Sequence, residues 1–345
     1  MATLIVTGGA GYIGSHTIIE LIEKTDLHIV SIDNFANSTP DVFERIRKIT
    51  GVKVRNYNVD ISDLSKVEAV FKEHNSIAGI IHFAAFKSVP ESVANPHKYY
   101  HNNVLGLLNL LELCKQYHVP RFIFSSSCSV YGNIEHLPVK ETTPFGKAES
   151  PYAYTKQIGE ALLKDYSIAC PSLKLIALRY FNPVGAHTSG LIGELPINKA
   201  SNLFPVITQT AIGKIKEMTV FGDDYNTRDG SCIRDYVHVT DIATAHIKAF
   251  NKLETVKYAT GPSIYNLGTG NGVSVLEAIH AFEKVAQKKL NYRVSLKRCG
   301  DIAAIYSDPS RSEQELGWKA TFTLDEMMES AWKWELSLKK QKLPV

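Results

Sequence analysis

Residues 3–14, Thr-Leu-Ile-Val-Thr-Gly-Gly-Ala-Gly-Tyr-Ile-Gly, decide the fold of this chain. A short apolar run predicts a buried strand, and the glycines follow it directly before a helical segment. Gly8 permits a tight turn, Gly11 lets the backbone approach a pyrophosphate, and Gly14 lets helix and strand pack closely. The helix N-terminus then offers free N–H groups and a partial positive charge to phosphates. The stretch therefore predicts a dinucleotide site between a first strand and a first helix.

Further apolar runs follow at intervals that leave room for crossover helices. Several are continuous rather than alternating, which is typical of parallel strands buried on both faces. Residues 103–117 and 152–166 are the longest helical segments between them. The alternation predicts an α/β fold with a Rossmann-type doubly wound parallel sheet and right-handed connections. Its strands are expected at residues 4–7, 27–32, 53–59, 79–84, 121–126 and 173–180.

The composition of the sequence changes after Asn182, where glycines and prolines become frequent. We therefore place a domain boundary near residue 180. Residues 1–180 are expected to form the dinucleotide-binding domain, and residues 181–345 a smaller C-terminal α/β domain for the substrate. Segments of the second half are allowed to cross back into the first.

Composition excludes several classes of function. The chain has 345 residues, 44% hydrophobic and 21% charged, with a net charge of only +3, so nucleic-acid binding receives no support. Its five cysteines have no C-x-x-C spacing, which argues against a disulfide framework and against a structural zinc site. No charged leader precedes the first strand, and no apolar run approaches membrane-spanning length. We expect a reduced, cytoplasmic protein without a bound metal.

Asp33 indicates which dinucleotide binds. It ends the second predicted strand, 22 residues after Gly11, where a carboxylate can accept hydrogen bonds from the adenosine ribose. A carboxylate would repel a 2′-phosphate, and the next residue is Asn34 rather than arginine. The sequence therefore favours NAD over NADP.

Tyr152 and Lys156 stand four residues apart near the start of a predicted helix, so both can face the same side. Ser127 closes a serine triplet at the carboxyl end of a predicted strand, beside the crevice where such sheets bind ligands. Lowering a tyrosine pKa by about three units requires about 4 kcal/mol. One positive charge about 5 Å away contributes roughly 3 kcal/mol at an effective dielectric of 20. The Lys156 ammonium and an oxidised nicotinamide together can therefore make Tyr152 a base.

The glycine loop, Ser127 and Tyr152-x-x-x-Lys156 resemble the extended short-chain dehydrogenase/reductase superfamily. Further phrases narrow the resemblance to the UDP-glucose 4-epimerase family, over about residues 3–335. These phrases are His82-Phe83-Ala84-Ala85 with Lys87, Asn102-Asn103, the residues of 125–132 and of 179–187, Arg234-Asp235-Tyr236 with His238, and Tyr265-Asn266-Leu267-Gly268.

The resemblance implies a role for each matching position. Tyr152 is expected to be the base, Ser127 its hydrogen-bond partner, and Lys156 the residue that tunes Tyr152 and holds the nicotinamide ribose. Contacts with a tightly bound NAD that is not consumed are expected at Gly8, Gly11, Tyr12, Ile13, Gly14, Asp33, Asn34, Asn37, Ser38, Asp60, Ile61, Phe83, Ala84, Ala85, Lys87, Asn102, Ser127, Tyr152, Lys156 and Phe181. Contacts with the UDP-sugar are expected at Lys87, Ser127, Tyr152, Asn182, Asn202, Leu203, Phe221, Arg234, Arg298, Asp301 and Ile305.

The activity implied is an isomerase reaction, the reversible inversion of C4 in UDP-glucose and UDP-galactose through a 4-ketose. Relatives that eliminate water carry an Asp-Glu pair after the active-site hydroxyl, where this chain has Cys128 and Ser129, so a dehydratase is excluded. Three alternatives stay open: a 4-epimerase of UDP-glucuronate or a UDP-pentose, a non-catalytic NAD-binding protein, and an enzyme that releases a reduced or oxidised product, which the same catalytic groups would serve. Intact Ser127, Tyr152 and Lys156 argue against the second alternative.

Two positions depart from the family pattern. Cys299 replaces an acidic residue. Ile305 matches a position where a bulky tyrosine rejects N-acetylated sugars and a small residue accepts them. Because isoleucine is intermediate in size, we expect slow turnover of UDP-N-acetylhexosamines beside UDP-galactose.

The family also implies a homodimer. Leu107, Leu110, Leu111 and Cys114 recur at helical spacing within residues 101–117. That pattern serves a core or a subunit interface equally well.

Overall fold

A seven-stranded parallel sheet forms the centre of the computed structural model, which describes residues 2–196, 200–255, 261–298 and 301–342. Its strands, numbered along the whole chain, are β1 (Thr3–Thr7), β2 (His28–Ile32), β3 (Arg55–Tyr57), β4 (Ile77–His82), β5 (Arg121–Ser127), β6 (Lys174–Tyr180) and β10 (Ser263–Leu267). Their order is β10-β6-β5-β4-β1-β2-β3. All pairs run parallel, so the predicted doubly wound sheet is confirmed.

Helices cover both faces of this sheet. The helices before β7 are α1 (Tyr12–Lys24), α2 (Asp41–Thr50), α3 (Leu64–Lys72), α4 (Val89–Ala94), α5 (Pro96–Tyr99), α6 (Gly106–Gln116) and α7 (Pro151–Ala169). A π-helical segment, Tyr100–Leu105, joins α5 to α6, and a short 3₁₀ helix, Cys128–Tyr131, follows β5.

The remaining elements form a smaller α/β layer. They are β7 (Asn182–Val184), α8 (Leu203–Ala211), β8 (Met218–Phe221), β9 (Ile233–His238), α9 (Val239–Thr255), β11 (Gly272–Ser274), α10 (Val275–Ala286), β12 (Tyr292–Ser295), β13 (Ala304–Ile305), α11 (Ser310–Leu316) and α12 (Leu324–Lys342). Strand β9 pairs with β11 and β13 over its first half and with β7 over its second half, while β8 pairs with β12.

Part of the second half of the chain returns to the central sheet. Strand β10 pairs in parallel with β6 from Ser263↔Ile176 to Leu267↔Tyr180. Helix α9 packs against α1, and its apolar residues share one core with those of β1 and β6. Helix α9 and strand β10 are therefore the segments of the second half that cross back into the first. For the other segments, the domain boundary at residue 180 stays a prediction.

The apolar stripe on α6 belongs to the core of the single chain. Leu107, Leu110, Leu111 and Cys114 are all completely buried, packed among residues of β1, β4 and β5. The choice left open by the sequence, between core and subunit interface, is therefore decided in favour of the core.

In the described ranges no helix is both long and apolar enough to cross a lipid bilayer. Within the same ranges no three His, Cys, Asp or Glu side chains converge as metal ligands would. The described cysteines Cys114, Cys128, Cys170 and Cys232 are free thiols, and Cys299 lies outside the described residues.

A buried ion pair ties α7 to the sheet beneath it. Arg179 of β6 binds Glu160 of α7 through two nitrogens, with Nε–Oε1 2.9 Å and Nη2–Oε2 2.7 Å. Ser126 donates to the same carboxylate at 2.5 Å, and Arg179 also donates to the Tyr131 hydroxyl at 2.8 Å. Both charged side chains are only 3% exposed. Removing one partner would leave the other buried and uncompensated.

We expect Arg179→Leu to lower the free energy of unfolding by about 3–5 kcal/mol, because Glu160 then stays buried without its counter-charge. Urea unfolding followed by circular dichroism measures this change. Arg47→Met is the control, since Arg47 pairs with Glu44 on the open surface of α2, and exposed pairs contribute little. Equal effects of the two variants would contradict the role of the buried pair.

Candidate active site

An open cleft lies at the carboxyl ends of β1, β2 and β4. Sequence reasoning assigned most of its lining to the dinucleotide: Gly8, Gly11, Asp33, Asn34, Asn37, Ser38, Ile61, Phe83, Ala84, Ala85 and Asn102. Ala36 and Phe86 belong to the wall as well and lie within the stretches 33–38 and 83–87, which match cofactor-contacting segments of the family. Ile32 and Val59 complete the wall without having been predicted. The structure thus brings these predicted positions together around one space.

The glycine loop has no room for side chains. Gly8 has a φ of +73°, and a Cβ there would lie 2.6 Å from the backbone nitrogen of Ala84. A Cβ on Gly14 would lie 2.2 Å from the Gly8 carbonyl oxygen. Helix α1 begins at Tyr12, and no side chain caps it at Gly11. Its first amides, those of Tyr12 and Ile13 included, can therefore bind phosphate oxygens, and this cradle fits a pyrophosphate.

Asp33 connects the loops at the edge of the cleft by hydrogen bonds. Its carboxylate accepts hydrogen bonds from the Ala10 N–H at 2.9 Å, the Phe35 N–H at 2.8 Å and the Ser38 hydroxyl at 3.0 Å. A carboxylate offers about four acceptor positions, so one is left for a ribose hydroxyl. Close by, Asn34 donates to Asp60 at 3.0 Å.

The start of α7 sets Tyr152 and Lys156 beside the end of β5. Ser150 caps the helix by accepting from the Ala153 N–H at 3.2 Å, with Pro151 in the first turn. Lys156 is almost fully buried, and its ammonium donates to the Ser125 carbonyl oxygen at 2.6 Å. It lies 5.9 Å from the centre of the Tyr152 ring. Ser127 ends β5 and accepts from the Ser129 N–H at 3.2 Å.

Burial pushes both of these groups toward their neutral forms. It lowers the pKa of Lys156 to about 8, although Glu160 attracts the ammonium and raises the pKa. It raises the pKa of Tyr152 to about 12, although a hydrogen bond with Ser127 lowers the pKa. Lys156 alone therefore does not make Tyr152 a base. This agrees with the expectation that a second positive charge is required.

Asn103 is a positioning residue that sequence reasoning did not assign. Its amide donates to the Phe86 carbonyl at 3.0 Å and to the Thr155 hydroxyl at 3.2 Å, and its oxygen accepts from the Phe86 N–H at 2.9 Å. Asn102, the predicted contact, donates to Asn103 at 2.8 Å. Both lie in the π-helical segment, a feature often found at functional sites. The sequence offered one indication, since the pair Asn102-Asn103 is among the phrases that carry the family resemblance.

The predicted diphosphate side also comes together. Arg298 binds Asp301 through two nitrogens, at 2.9 and 3.3 Å, and its guanidinium lies 4.6 Å from the centre of the Phe221 ring. Arg234 donates to the carbonyl oxygens of its own strand and of the segment before β13. Burial and a hydrogen bond with Cys232 raise the pKa of Tyr225 to about 12, Asp301 raises it further, and Arg234 lowers it.

Asn182 of β7 and Ile305 of β13 both lie in strands that pair with β9, but their side chains are placed differently. The Asn182 Oδ1 atom is buried and has no hydrogen-bond partner in the structure, as expected of an acceptor that binds a donor group of a ligand. Ile305 is 5% exposed and packs in an apolar cluster with the predicted residue Phe181 and with Tyr131. Cys128 packs against the same cluster.

Glu194 is a second residue that the sequence did not indicate. Its carboxylate accepts from both Lys87 and Asn202, two predicted contact residues from different halves of the chain. Leu203, also predicted, is the first residue of α8, which Asn202 precedes.

Comparison with known proteins shows similarity along almost the whole chain. A family model described as GDP-mannose 4,6-dehydratase matches residues 5–331. UDP-glucose 4-epimerase from Bacillus subtilis is 47% identical over 334 residues, which cover 97% of this chain and 97% of that protein.

Two solved structures share the fold as well. UDP-glucose 4-epimerase from Bifidobacterium longum, in complex with NAD⁺ and UDP, is 46% identical, with a TM-score of 0.92 over 97% of this chain and 98% of that chain. The UDP-Glc/GlcNAc 4-epimerase from Campylobacter jejuni is 36% identical, with a TM-score of 0.84 over 98% of this chain and 100% of that chain.

Lys156 should make stability depend on pH. Its pKa falls from 10.5 in the unfolded chain to about 8 in the folded one. The unfolded state therefore binds more protons between these values, and stability rises with pH across that window. Between pH 8 and 10.5 the unchanged protein should therefore gain about 3 kcal/mol in free energy of unfolding from this group. Lys156→Met lacks the group, so it should fall behind the unchanged protein by the same amount across this pH range.

Urea unfolding at a series of pH values measures this difference. Lys164→Met, on the exposed side of the same helix, is the control and should show no such slope. A difference between Lys156→Met and the unchanged protein that stays constant from pH 8 to 10.5 would contradict the buried ammonium.

Proposed function

Because the chain belongs to the family described as GDP-mannose 4,6-dehydratase, and within it to the UDP-glucose 4-epimerases, we propose that it interconverts UDP-glucose and UDP-galactose by NAD-dependent inversion of C4. One observation carries the proposal: Tyr152, Lys156 and Ser127 meet at the end of β5, beside a cleft built for a dinucleotide. Relatives named for UDP-glucose favour the hexose over a UDP-glucuronate or UDP-pentose.

The residues after Ser127 separate epimerisation from dehydration within the family. Elimination of water needs an additional acid and base next to the reacting carbons. Cys128 and Ser129 occupy those positions, and burial raises the pKa of the Cys128 thiol to about 12. A neutral thiol and a hydroxyl do not supply that acid and base, so inversion at C4 is the chemistry that these residues support.

Each catalytic side chain has one part in the reaction. Tyr152 takes the proton from the C4 hydroxyl as C4 becomes a ketone, and returns a proton when the alcohol is formed again. Ser127 orients the reacting oxygen by a hydrogen bond. Lys156, held by the Ser125 carbonyl, supplies the positive charge nearest to Tyr152. Between the two steps the ketose turns about its phosphate link, which exposes the opposite face of C4.

When bound, NAD supplies the hydride acceptor and donor that this chemistry needs. The glycine cradle would hold its pyrophosphate, and Asp33 would accept a hydrogen bond from its adenosine ribose. Because the reaction has no net oxidation, the cofactor is regenerated in every cycle and stays bound.

The sugar nucleotide is proposed to lie between β7, α8 and the β9–β13 pair. Arg234 and Arg298 suit its diphosphate, since each guanidinium offers several donors in fixed directions. Asn182 would give its unpaired oxygen to a donor on the substrate. Asp301 and Phe221 already contact Arg298 and would complete this wall.

A homodimer and a cytoplasmic location are further parts of the proposal. Val93, Leu105 and Tyr154 are 61%, 39% and 48% exposed, and they lie on α4, the π-helical segment and α7, which pack together. An exposed apolar face of this kind is what a second copy of the chain would cover.

The purified protein should convert UDP-galactose to UDP-glucose without added NAD, as measured by chromatography of the sugar nucleotides. Tyr152→Phe removes the proton acceptor and should lower kcat by about 10²–10⁴-fold. NAD released on denaturation, measured by absorbance, should be equal in both proteins. Absence of product after NAD is supplied would refute the UDP-hexose assignment.

Ile305 should set the tolerance for N-acetylated sugars. We expect UDP-N-acetylgalactosamine to be converted slowly by the unchanged protein. Ile305→Ala should raise the kcat/KM for this sugar relative to UDP-galactose by about tenfold or more, because one extra or missing methylene group in an apolar pocket is worth about 1–3 kcal/mol. Ile305→Tyr should abolish that conversion.

Val139→Ala is the control, because Val139 is fully buried in the same cluster and its truncation loosens the packing only. Two results with the unchanged protein would contradict the role of Ile305. One is equal rates on UDP-galactose and UDP-N-acetylgalactosamine, and the other is no conversion of UDP-N-acetylgalactosamine at all.

A further inference from the structure

Glu194 joins side chains that come from opposite halves of the molecule. Its Oε1 atom accepts from the Lys87 ammonium at 3.2 Å and from the Asn202 amide at 2.7 Å. Lys87 follows β4 of the central sheet, whereas Asn202 precedes α8 of the smaller layer. The Glu194 side chain is only 13% exposed, whereas the Lys87 side chain is 50% exposed and Asn202 is exposed as well, so the carboxylate is buried more deeply than its two partners.

The backbone at Glu194 is held in place by contacts with α12, so the fold fixes the direction of its Cα–Cβ bond. The Trp334 indole of α12 donates to the Glu194 carbonyl oxygen at 2.9 Å. A Cβ on Gly193 would lie 2.6 Å from that indole ring, and Gly193 forms a bridge with Ala186. The loop therefore packs directly on α12, and the two hydrogen bonds to Lys87 and Asn202 are what hold the carboxylate.

The Glu194 carboxylate also affects Tyr12, which follows the glycine loop. Burial raises the pKa of Tyr12 well above its ordinary value, and the Glu194 carboxylate raises it further. The Tyr12 hydroxyl donates to the Gly185 carbonyl at 2.6 Å, and the Lys87 ammonium lies 6.0 Å from the Tyr12 ring. Glu194 thus stands among the start of α1, the loop after β4 and the start of α8.

The contact with Glu194 fixes which end of the Asn202 amide is free. An amide offers an oxygen acceptor and an NH₂ donor, and here the donor end is occupied by the carboxylate. Asn202 does not cap α8 with its side chain, so its oxygen stays available. A sugar nucleotide presents hydroxyl and N–H donors that such an oxygen can accept. The opposite orientation would place two N–H groups there instead.

We propose that Glu194 is a positioning residue for the epimerase reaction, which orients the Asn202 amide toward the sugar nucleotide and confines the Lys87 ammonium between the dinucleotide and sugar-nucleotide sites. This inference rests on the proposed function. Glu194 acts on substrate binding through its two partners and takes no part in proton transfer.

Steady-state kinetics with UDP-galactose test the inference on the NAD-containing protein. Glu194→Ala should raise KM by about 10–100-fold, the range expected for losing a hydrogen bond to a charged group, while kcat stays close to that of the unchanged protein. Glu194→Gln keeps an oxygen that can accept a hydrogen bond from Asn202. Its KM should therefore lie close to that of the unchanged protein. Glu329→Gln, on the exposed face of α12, is the matched control.

A double variant distinguishes positioning from general loosening. If Glu194 acts through Asn202, Glu194→Ala with Asn202→Ala should bind substrate no more weakly than the worse single variant. Independent effects that multiply, or an unchanged KM in Glu194→Ala, would overturn the inference. If Glu194→Ala fails to fold, Glu194→Gln decides, since a kcat loss at unchanged KM also overturns it. Absence of turnover in the unchanged protein refutes the proposed function instead.

Discussion

The buried ion pair between Glu160 and Arg179 is the constraint on which the rest of the site depends. Glu160 lies one helical turn after Lys156, and its carboxylate also holds the Ser126 hydroxyl, next to Ser127. Two charges taken out of water are stable only when almost every donor and acceptor is paired. Helix α7 can therefore occupy only one position over β5 and β6, and that position determines where Tyr152, Lys156 and Ser127 meet.

The same burial shapes the chemistry. A dry environment disfavours charge on either member of the Tyr152 and Lys156 pair. In the proposed reaction the phenolate would need a second positive charge nearby, which an oxidised cofactor would supply. The protonation of Tyr152 would then be linked to the redox state of the cofactor, so that the proton of the C4 hydroxyl and the hydride of C4 would leave under the same condition.

Local patterns in the sequence indicated the glycine loop, six strands of the sheet and the helix that carries Tyr152 and Lys156, because each is encoded within a few neighbouring residues. The return of β10 to the sheet is different, since its pairing with β6 joins residues far apart in the chain. Asn103 and Glu194 escaped notice for the same reason: their partners are brought near only by the folded structure. The face that α6 buries was undecidable by spacing alone, because core and interface are equally apolar.

The place of β10 at one edge of the sheet has a consequence for synthesis on the ribosome. Leu178 and Tyr265 pair although about 87 residues separate them, so β6 remains an unpaired edge while the intervening segment is made. An open parallel edge can recruit other strands and promotes aggregation of incomplete chains. The nascent protein therefore passes through an interval in which β6 is exposed, and this interval ends only when β10 has emerged, paired with β6 and taken its place as the edge strand.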